Sequence, residues 1–446
     1  MAVLVLAAVA VRIPLLGGPQ IDYDEGVYWE SLRSMAAGHP LFSSVYSSQP
    51  PGFLAAIYPF YLLGHSLVAA RAGVLVFFAA ALVATFFATR VLLGERAALL
   101  ATLVMAVDPL VLRQSVALQA DGPALALGMV ALALALHQPQ QRSSRWNVAL
   151  PVLAGAALAA AVQVKLLAVV FAVPVILVLY WRRRLLLGAA GVVVGTAVVL
   201  LPFAFRLGLV WRQAVAGHVD ARALDEGGFG AADMHSALVR EALTAAVGVL
   251  GAFVLFSRRA DRVMVLLGAW LVAVLAVMVV QRPLWPHHLV IAVPPLAIAA
   301  GTLANVLVPR TVVAVLTATA AAMLLLVGER ALDNPATADT VAASVAVMRH
   351  VLLPGDLVIT DDQFSAAQAG FDTPPDLVDT SVVRLRSQPV TAADVERSAM
   401  ANRVRVVYTG TNRLSQLDGL LAWIEQHYPQ RFDVGHNAVV HVAPAP

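Results

Sequence analysis

Apolar runs long enough to cross a bilayer follow one another along most of residues 1–328, and they leave little freedom in the fold. A span takes about 20 apolar residues, range about 17–25. Eleven candidates meet or approach that length: 1–17, 67–89, 96–112, 120–137, 148–164, 166–181, 185–205, 237–256, 263–281, 288–307 and 311–328. The block 148–181 is one apolar stretch, split at Lys165. Composition agrees: 60% of residues are hydrophobic and 13% charged, with mean hydropathy +0.80. Soluble domains run at about 45–50% apolar and about 25% charged, and a soluble core cannot absorb the excess. The chain reads as a polytopic α-helical membrane protein. Residues 1–17 lack the basic leader and cleavage site of a signal peptide, so they read as a first span. That span opens at Met1 itself, which is compatible with a start upstream. Cysteine is absent, which excludes disulfides, thiolate chemistry and cysteine metal sites.

Arginine supplies an independent test of orientation, because cytoplasmic loops carry the basic excess. With the N-terminus inside, the inner turns contain Arg90 and Arg96, Arg142 and Arg145, Arg182 to Arg184, Arg258, Arg259 and Arg262, and Arg310. Glu95 and Asp261 are the acids there, and Trp146 and Trp181 fall at the inner interface. The outer face receives Asp22, Asp24, Glu25, Asp121, Lys165, the loop 206–236 and the segment Arg282 to His288. The net charge of +3 says little, because the basic residues are segregated, and no nucleic-acid partner is expected.

The eleventh span exits outward, so residues 329–446 are expected outside as a second domain, after a transmembrane domain of 1–328. Leu357 to Thr360 and Val404 to Tyr408 read as buried strands. Ala392 to Asn402 and Leu417 to His427 read as helices, and Phe432 to Val442 as a closing strand pair. This pattern predicts a small α/β domain. Asp361-Asp362 follow a strand end, where such sheets often bind ligands; a turn is the simpler account.

The stretch Gly18 to Ser66 concentrates polar and aromatic residues between two apolar runs. Asp24 and Glu25 open a short helical pattern in which Tyr28, Leu32 and Met35 share a face with Asp24. A second amphipathic helix is expected from Pro51 to Leu63, after Gln49-Pro50-Pro51. Asp22 or Asp24 could serve as a helix N-cap or as reactive carboxylates. Asp121, in Gln119-Ala120-Asp121-Gly122-Pro123, reads equally as a cap at the start of the fourth span or as an acid facing an outer cavity. Lys165 is the single lysine against 29 arginines. It either snorkels outward or supplies a compact cation to an oxygen anion. His287 and His288 point to different sides of a helix, so both are not expected on one metal; one could donate to a phosphate. Arg206, Arg212, His218 and Arg222 are further anion contacts or solvated charges. No phosphate-binding glycine loop or zinc motif is present; a divalent metal is compatible but not indicated.

At Asp24-Glu25 the chain resembles the GT-C glycosyltransferases of the family 39 and 83 group, which contains protein O-mannosyltransferases and the lipid A aminoarabinose transferase. Members open the first outer loop with a pattern like D-E-x-x-Y-x-x-E. Here it stands as Asp24-Glu25-Gly26-Val27-Tyr28-Trp29-Glu30-Ser31, with Glu30 one place before the pattern's last acid. The similarity extends through Asp121-Gly122-Pro123 and the Lys165 region and covers most of residues 1–310. It implies a multi-span bundle with two juxtamembrane helices in the first outer loop and a polyprenyl-phosphate sugar donor. It also implies inversion at the anomeric centre, Asp24 as general base supported by Glu25, and Lys165 on the donor phosphate. Asp121, His287, His288, Tyr28 and Gln49 complete the expected donor contacts. The aminoarabinose enzymes carry a lysine where Gln49 stands and an arginine where Val27 stands, so phosphate neutralisation must come from other cations.

These expectations describe a bacterial plasma-membrane enzyme of the cell envelope, working outside the cytoplasm on a protein, lipid or glycan acceptor. A transporter or flippase of lipid-linked sugars is the rival class. Such proteins often show internal repeats and midplane charges, whereas this chain shows no repeat and gathers its polar groups on one side.

Overall fold

The computed structural model describes residues 1–19, 22–137, 145–223, 231–257, 261–282, 284–306, 335–381, 384–385 and 390–444. Its helices in chain order begin with α1 (Ala2–Ala10), α2 (Tyr23–Ala36), α3 (Gly52–Gly64), α4 (Leu67–Leu93) and α5 (Glu95–Val107). Then come α6 (Pro109–Val116), α7 (Asp121–Leu136), α8 (Trp146–Val164), α9 (Ala172–Trp181) and α10 (Leu185–Leu200). α11 (Leu207–Trp211), α12 (Gly217–Ala223), α13 (Ala231–Ser257), α14 (Asp261–Val280) and α15 (Val293–Gly301) follow. The C-terminal segment adds α16 (Pro335–Val351), α17 (Gln363–Ala369), α18 (Ala392–Ala401) and α19 (Leu420–His427).

The chain forms two compact units. The first comprises Met1–Leu16, Arg71–Ala204 and Asp225–Leu332; the second comprises Gly17–Ala70, Phe205–Leu224 and Asp333–Pro446. The second unit thus draws the first loop and residues 205–224 together with the C-terminal segment.

Among the described residues five helices are long and apolar enough to cross a membrane: Leu67–Leu93, Trp146–Val164, Leu185–Asp220, Asp261–Val280 and Pro286–Asn305. A sixth arises if α6 and α7, bent by 110°, count as one broken span. Shorter apolar helices include Ala2–Gly17, Leu166–Trp181 and Glu241–Ser257. The expected span 311–328 lies outside the described residues, as do Arg142, Arg258, Arg259 and Arg310. The fourth expected span, 120–137, agrees with α7 (Asp121–Leu136), whereas the third, 96–112, differs from its sequence limits. Proline has no N–H to continue a helix, so α5 stops at Val107 and Pro109 opens α6. Asp108 caps that new helix, accepting from Val111 N at 2.9 Å. Lys165 does mark a helix break: it ends α8 in extended conformation, and a 3-10 turn, Leu166–Phe171, follows.

Helices α8 and α10 meet through small residues. A Cβ on Gly191 would stand 2.0 Å from Val152 O, and one on Gly195 would stand 2.7 Å from Ala156 Cα. Backbones approach this closely only where side chains are missing, the usual basis of helix contact in lipid. Arg12, fully buried, ties the first helical segment inward. It donates to Ala106 O at 2.6 Å and Ser115 Oγ at 2.6 Å, and lies 4.1 Å over the Phe78 ring.

The second unit carries a four-stranded sheet of β1 (Val358–Thr360), β2 (Val406–Thr409), β3 (Gln430–Gly435) and β4 (Ala438–Val442). Its order is β1-β2-β4-β3, with β1 parallel to β2 and the other pairs antiparallel. Val358 pairs with Val406 and Val407 with His441. Ile359, Val395, Val407, Leu420 and Ile424 are fully buried in its core, joining α18 and α19 to the sheet. The expected strands and helices are therefore present within a few residues.

Candidate active site

Helix α2 carries the acid pair. Asp22 is its N-cap, accepting from Asp24 N at 3.4 Å. The cap duty therefore falls on Asp22, and Asp24 and Glu25 lie in the first turn, where negative charge is favoured by the helix dipole. Asp24 is half-buried and Glu25 is buried. Tyr28 is buried with its ring edge-on to Phe53 of α3, 4.8 Å between centroids. Gln49 is half-buried, and its carbonyl accepts from Ser47 Oγ at 3.0 Å.

The rest of the second unit fixes α2 at both ends. At its start, the Arg413 guanidinium lies 3.5 Å over the Tyr23 ring, and the Tyr23 hydroxyl reaches Thr380 Oγ1 at 3.2 Å and Gln363 Oε1 at 3.3 Å. Burial holds that hydroxyl protonated, well above the usual tyrosine range. In the middle, a Cβ on Gly26 would meet Phe364 N at 2.4 Å, so α2 and α17 meet backbone to backbone. Toward its end, Glu30 Oε2 accepts from Thr373 N at 3.1 Å, and Arg33 Nε donates to Asp372 Oδ1 at 2.8 Å. Arg33 Nε also lies 2.9 Å from Glu30 Oε1, but its N–H is spent on Asp372. Burial dominates at Glu30 and pushes its pKa up to about 8, against the pull of Arg33.

Gln213, which sequence reasoning passed over, and His218 hold the loop between α2 and α3. Gln213 accepts from Ser47 N at 3.0 Å and donates to Phe42 O at 2.9 Å. His218 Nε2 lies 2.8 Å from Ser48 O, which gives it a scaffold contact rather than a solvated position. Asp361 and Asp362 are also structural. Asp361 takes four backbone N–H groups, from Gly410 (2.6 Å), Thr411 (3.0 Å), Arg413 (2.7 Å) and Leu414 (3.0 Å). Asp362 caps α17, accepting from Ser365 Oγ at 2.5 Å. The turn account holds for both. Arg206 and Arg212 lie in the second unit too, Arg212 exposed; the Arg222 side chain lies outside the described residues.

The remaining expected residues belong to the first unit. Lys165 Nζ donates to Asp121 Oδ2 at 2.6 Å, and both side chains are buried. Asp121 is the first residue of α7, with no capping bond from Ala120 before it. His287 and His288 are buried, rings edge to face at 4.6 Å, and His288 Nδ1 accepts from Trp285 N at 3.2 Å. Nearby, Asp108 Oδ2 accepts from Thr244 Oγ1 at 2.7 Å. Asp108 carried no sequence signal beyond its place before a proline. Among the described residues no three His, Asp or Glu side chains group as a metal site.

The family described as dolichyl-phosphate-mannose-protein mannosyltransferase matches residues 48–208. That range includes Gln49, Asp121 and Lys165 and begins after the acid pair. No curated protein matches by sequence. Among solved structures, ArnT from Cupriavidus metallidurans in its apo state is 18% identical, with TM-score 0.67 over 99% of this chain and 97% of that one. The same protein bound to undecaprenyl phosphate gives 17% identity and TM-score 0.69 over 100% and 98%. The archaeal oligosaccharyltransferase AglB from Archaeoglobus fulgidus, with an inhibitory peptide and a dolichol-phosphate, gives 13% and 0.54 over 98% and 75%. The chain has the GT-C glycosyltransferase fold. The resemblance stated from the sequence is borne out at the level of the fold and, over residues 48–208, of the family match.

Proposed function

We propose that the chain transfers a sugar from a polyprenyl-phosphate donor to an acceptor outside the plasma membrane, with inversion. The observation that carries this reading is the acid pair at the start of α2: Asp22 takes the capping role, so Asp24 is not needed for it. A general base must sit within reach of the proton it removes. The acceptor oxygen attacks the anomeric carbon while Asp24 takes its proton. The bond from that carbon to the phosphate oxygen breaks, and its electron pair leaves with the polyprenyl phosphate. One displacement inverts the centre. Glu25 orients the loop. Lys165 balances the charge that develops on the leaving phosphate, as a fixed cation in a dry site does.

The Asp121–Lys165 pair refines one assignment. A carboxylate cannot accept a hydrogen bond from an ionised phosphodiester, so Asp121 serves by aiming Lys165. His287, His288, Tyr28 and Gln49 remain proposed donor contacts. The lipid phosphates bound to the ArnT and AglB structures support the donor class. The arginine pattern supports the orientation, with residues 329–446 as a domain outside the membrane.

The test is turnover of labelled polyprenyl-phosphate sugars by the purified protein, read as release of polyprenyl phosphate. Asp24→Asn keeps the side chain's size and leaves the Asp22 cap in place but cannot take a proton. It is expected to fold and to lose turnover by about 100-fold or more. Near-normal transfer by this variant removes Asp24 from the chemistry.

A further inference from the structure

The bend between α6 and α7 carries three buried side chains with polar atoms that have no hydrogen-bond partner among the described residues. Gln114 and Gln119 are each 1% exposed, and neither Nε2 nor Oε1 of either has a hydrogen-bond partner among the described residues. Asp121, 2% exposed, uses Oδ2 for Lys165, while its Oδ1 has no partner among the described residues. The bend brings these positions together. Gln119 is two residues before Asp121, and Gln114 O lies 2.7 Å from where a Cβ on Gly122 would stand. Buried amides and carboxylates nearly always find partners, so five such atoms at one bend point to a polar ligand.

The mix of atoms identifies the ligand's chemistry. Two amide NH2 groups donate, while two amide oxygens and one carboxylate oxygen accept. A phosphodiester offers acceptors only and would leave all three oxygens unserved. A metal ion would leave both NH2 groups unserved and would sit against the Lys165 ammonium. A polyprenyl chain offers nothing polar. Hydroxyl groups donate and accept at once, and a side-chain amide presents a donor and an acceptor side by side. We propose that Gln114, Gln119 and Asp121 Oδ1 form the subsite that reads the hydroxyls of the transferred sugar, and so set which sugar the protein accepts. This rests on the polyprenyl-phosphate sugar reading above.

The experiment uses the full chain in lipid nanodiscs. Its probes are bare undecaprenyl phosphate and undecaprenyl phosphates carrying mannose, glucose or arabinose. The wild type is expected to bind bare lipid phosphate and to prefer at least one sugar-bearing form. Gln114→Leu combined with Gln119→Leu is expected to bind bare lipid phosphate within about twofold of wild type. The same variant is expected to lose about tenfold or more of the sugar preference, since a site built for a polar group discriminates strongly. Its ligand-free unfolding midpoint is expected to hold or rise, because no hydrogen bond within the protein is lost. If leucine disturbs the bend, methionine at both positions supports the same ratio measurement. An unchanged sugar preference overturns the subsite alone. Absence of any binding to bare undecaprenyl phosphate overturns the lipid-donor reading, and the subsite with it.

Discussion

Asp361 in the second unit and Asp121 in the first are both buried carboxylates, and their surroundings treat them differently. Asp361 has both oxygens filled, each by two backbone N–H groups. Asp121 has one oxygen on Lys165 and the other without a partner among the described residues. The same contrast extends outward. In the second unit Glu30 uses Oε2 for Thr373 and leaves Oε1 without a hydrogen-bond partner among the described residues, while Arg33, Asp362 and Gln213 spend polar atoms on neighbouring chain. In the first unit Gln114 and Gln119 do not. A carboxylate saturated by backbone is a scaffold part, because a ligand would have to displace what already holds it. A half-used one, beside unused amides, retains capacity for a substrate.

The largest effect that could break this contrast is expected at Lys165. Lys165→Ala strands the Asp121 carboxylate in a buried setting, which costs about 3–5 kcal/mol. Thermal unfolding in detergent should show it. Lys165→Met with Asp121→Leu should recover most of that stability and none of the transfer activity. Recovery of both would make the pair a structural one, like Asp361.

Next in size is Asp361→Ala. It leaves four backbone donors to find water or go unpaired, a loss of about 3 kcal/mol. The loop at 410–414 should become protease-sensitive. Since Arg413 comes from that loop and covers Tyr23, transfer activity should fall as well. A full-activity variant would uncouple the C-terminal segment from α2.

Glu30 sharpens the comparison from within the second unit, because its burial is only partly compensated. Its folded pKa, pushed up to about 8, lies above the ordinary carboxylate value of 4.5. The unfolded chain therefore binds fewer protons than the folded one between about pH 4.5 and 8. Stability from this group is full below that window and is lost as pH rises through it. Glu30→Gln should match wild type near pH 4.5 and exceed it above pH 8. Parallel stability curves for the two proteins would show Arg33 to be a full partner.

The smallest effect is expected at Gly26. An added methyl meets the Phe364 backbone at 2.4 Å, so Gly26→Ala must push α2 from α17, at about 1 kcal/mol or slightly more. The useful reading is activity. A drop in turnover larger than the stability loss explains would show that the placement of Asp24 depends on this contact.

Local chemistry was legible in the sequence. The break at Lys165, the helix opened by Asp22, the second helix after Pro51, and the strands and helices after residue 356 all follow from signals a few residues long. Proline, capping groups and hydrophobic period act between neighbours, so one chain displays them. The GT-C resemblance was legible for the same reason, through a short motif. What the tertiary structure alone decided is which distant residues hold the site. Arg33 and Asp372 are 339 positions apart, Tyr23 and Thr380 are 357 apart, and Gln213 and Phe42 are 171 apart. Such pairs leave no periodic trace, because either residue alone looks like any surface charge or amide. The unused amides of Gln114 and Gln119 were equally hidden. Only the folded bend removes them from water, and only there does a polar group without a partner become costly enough to imply one.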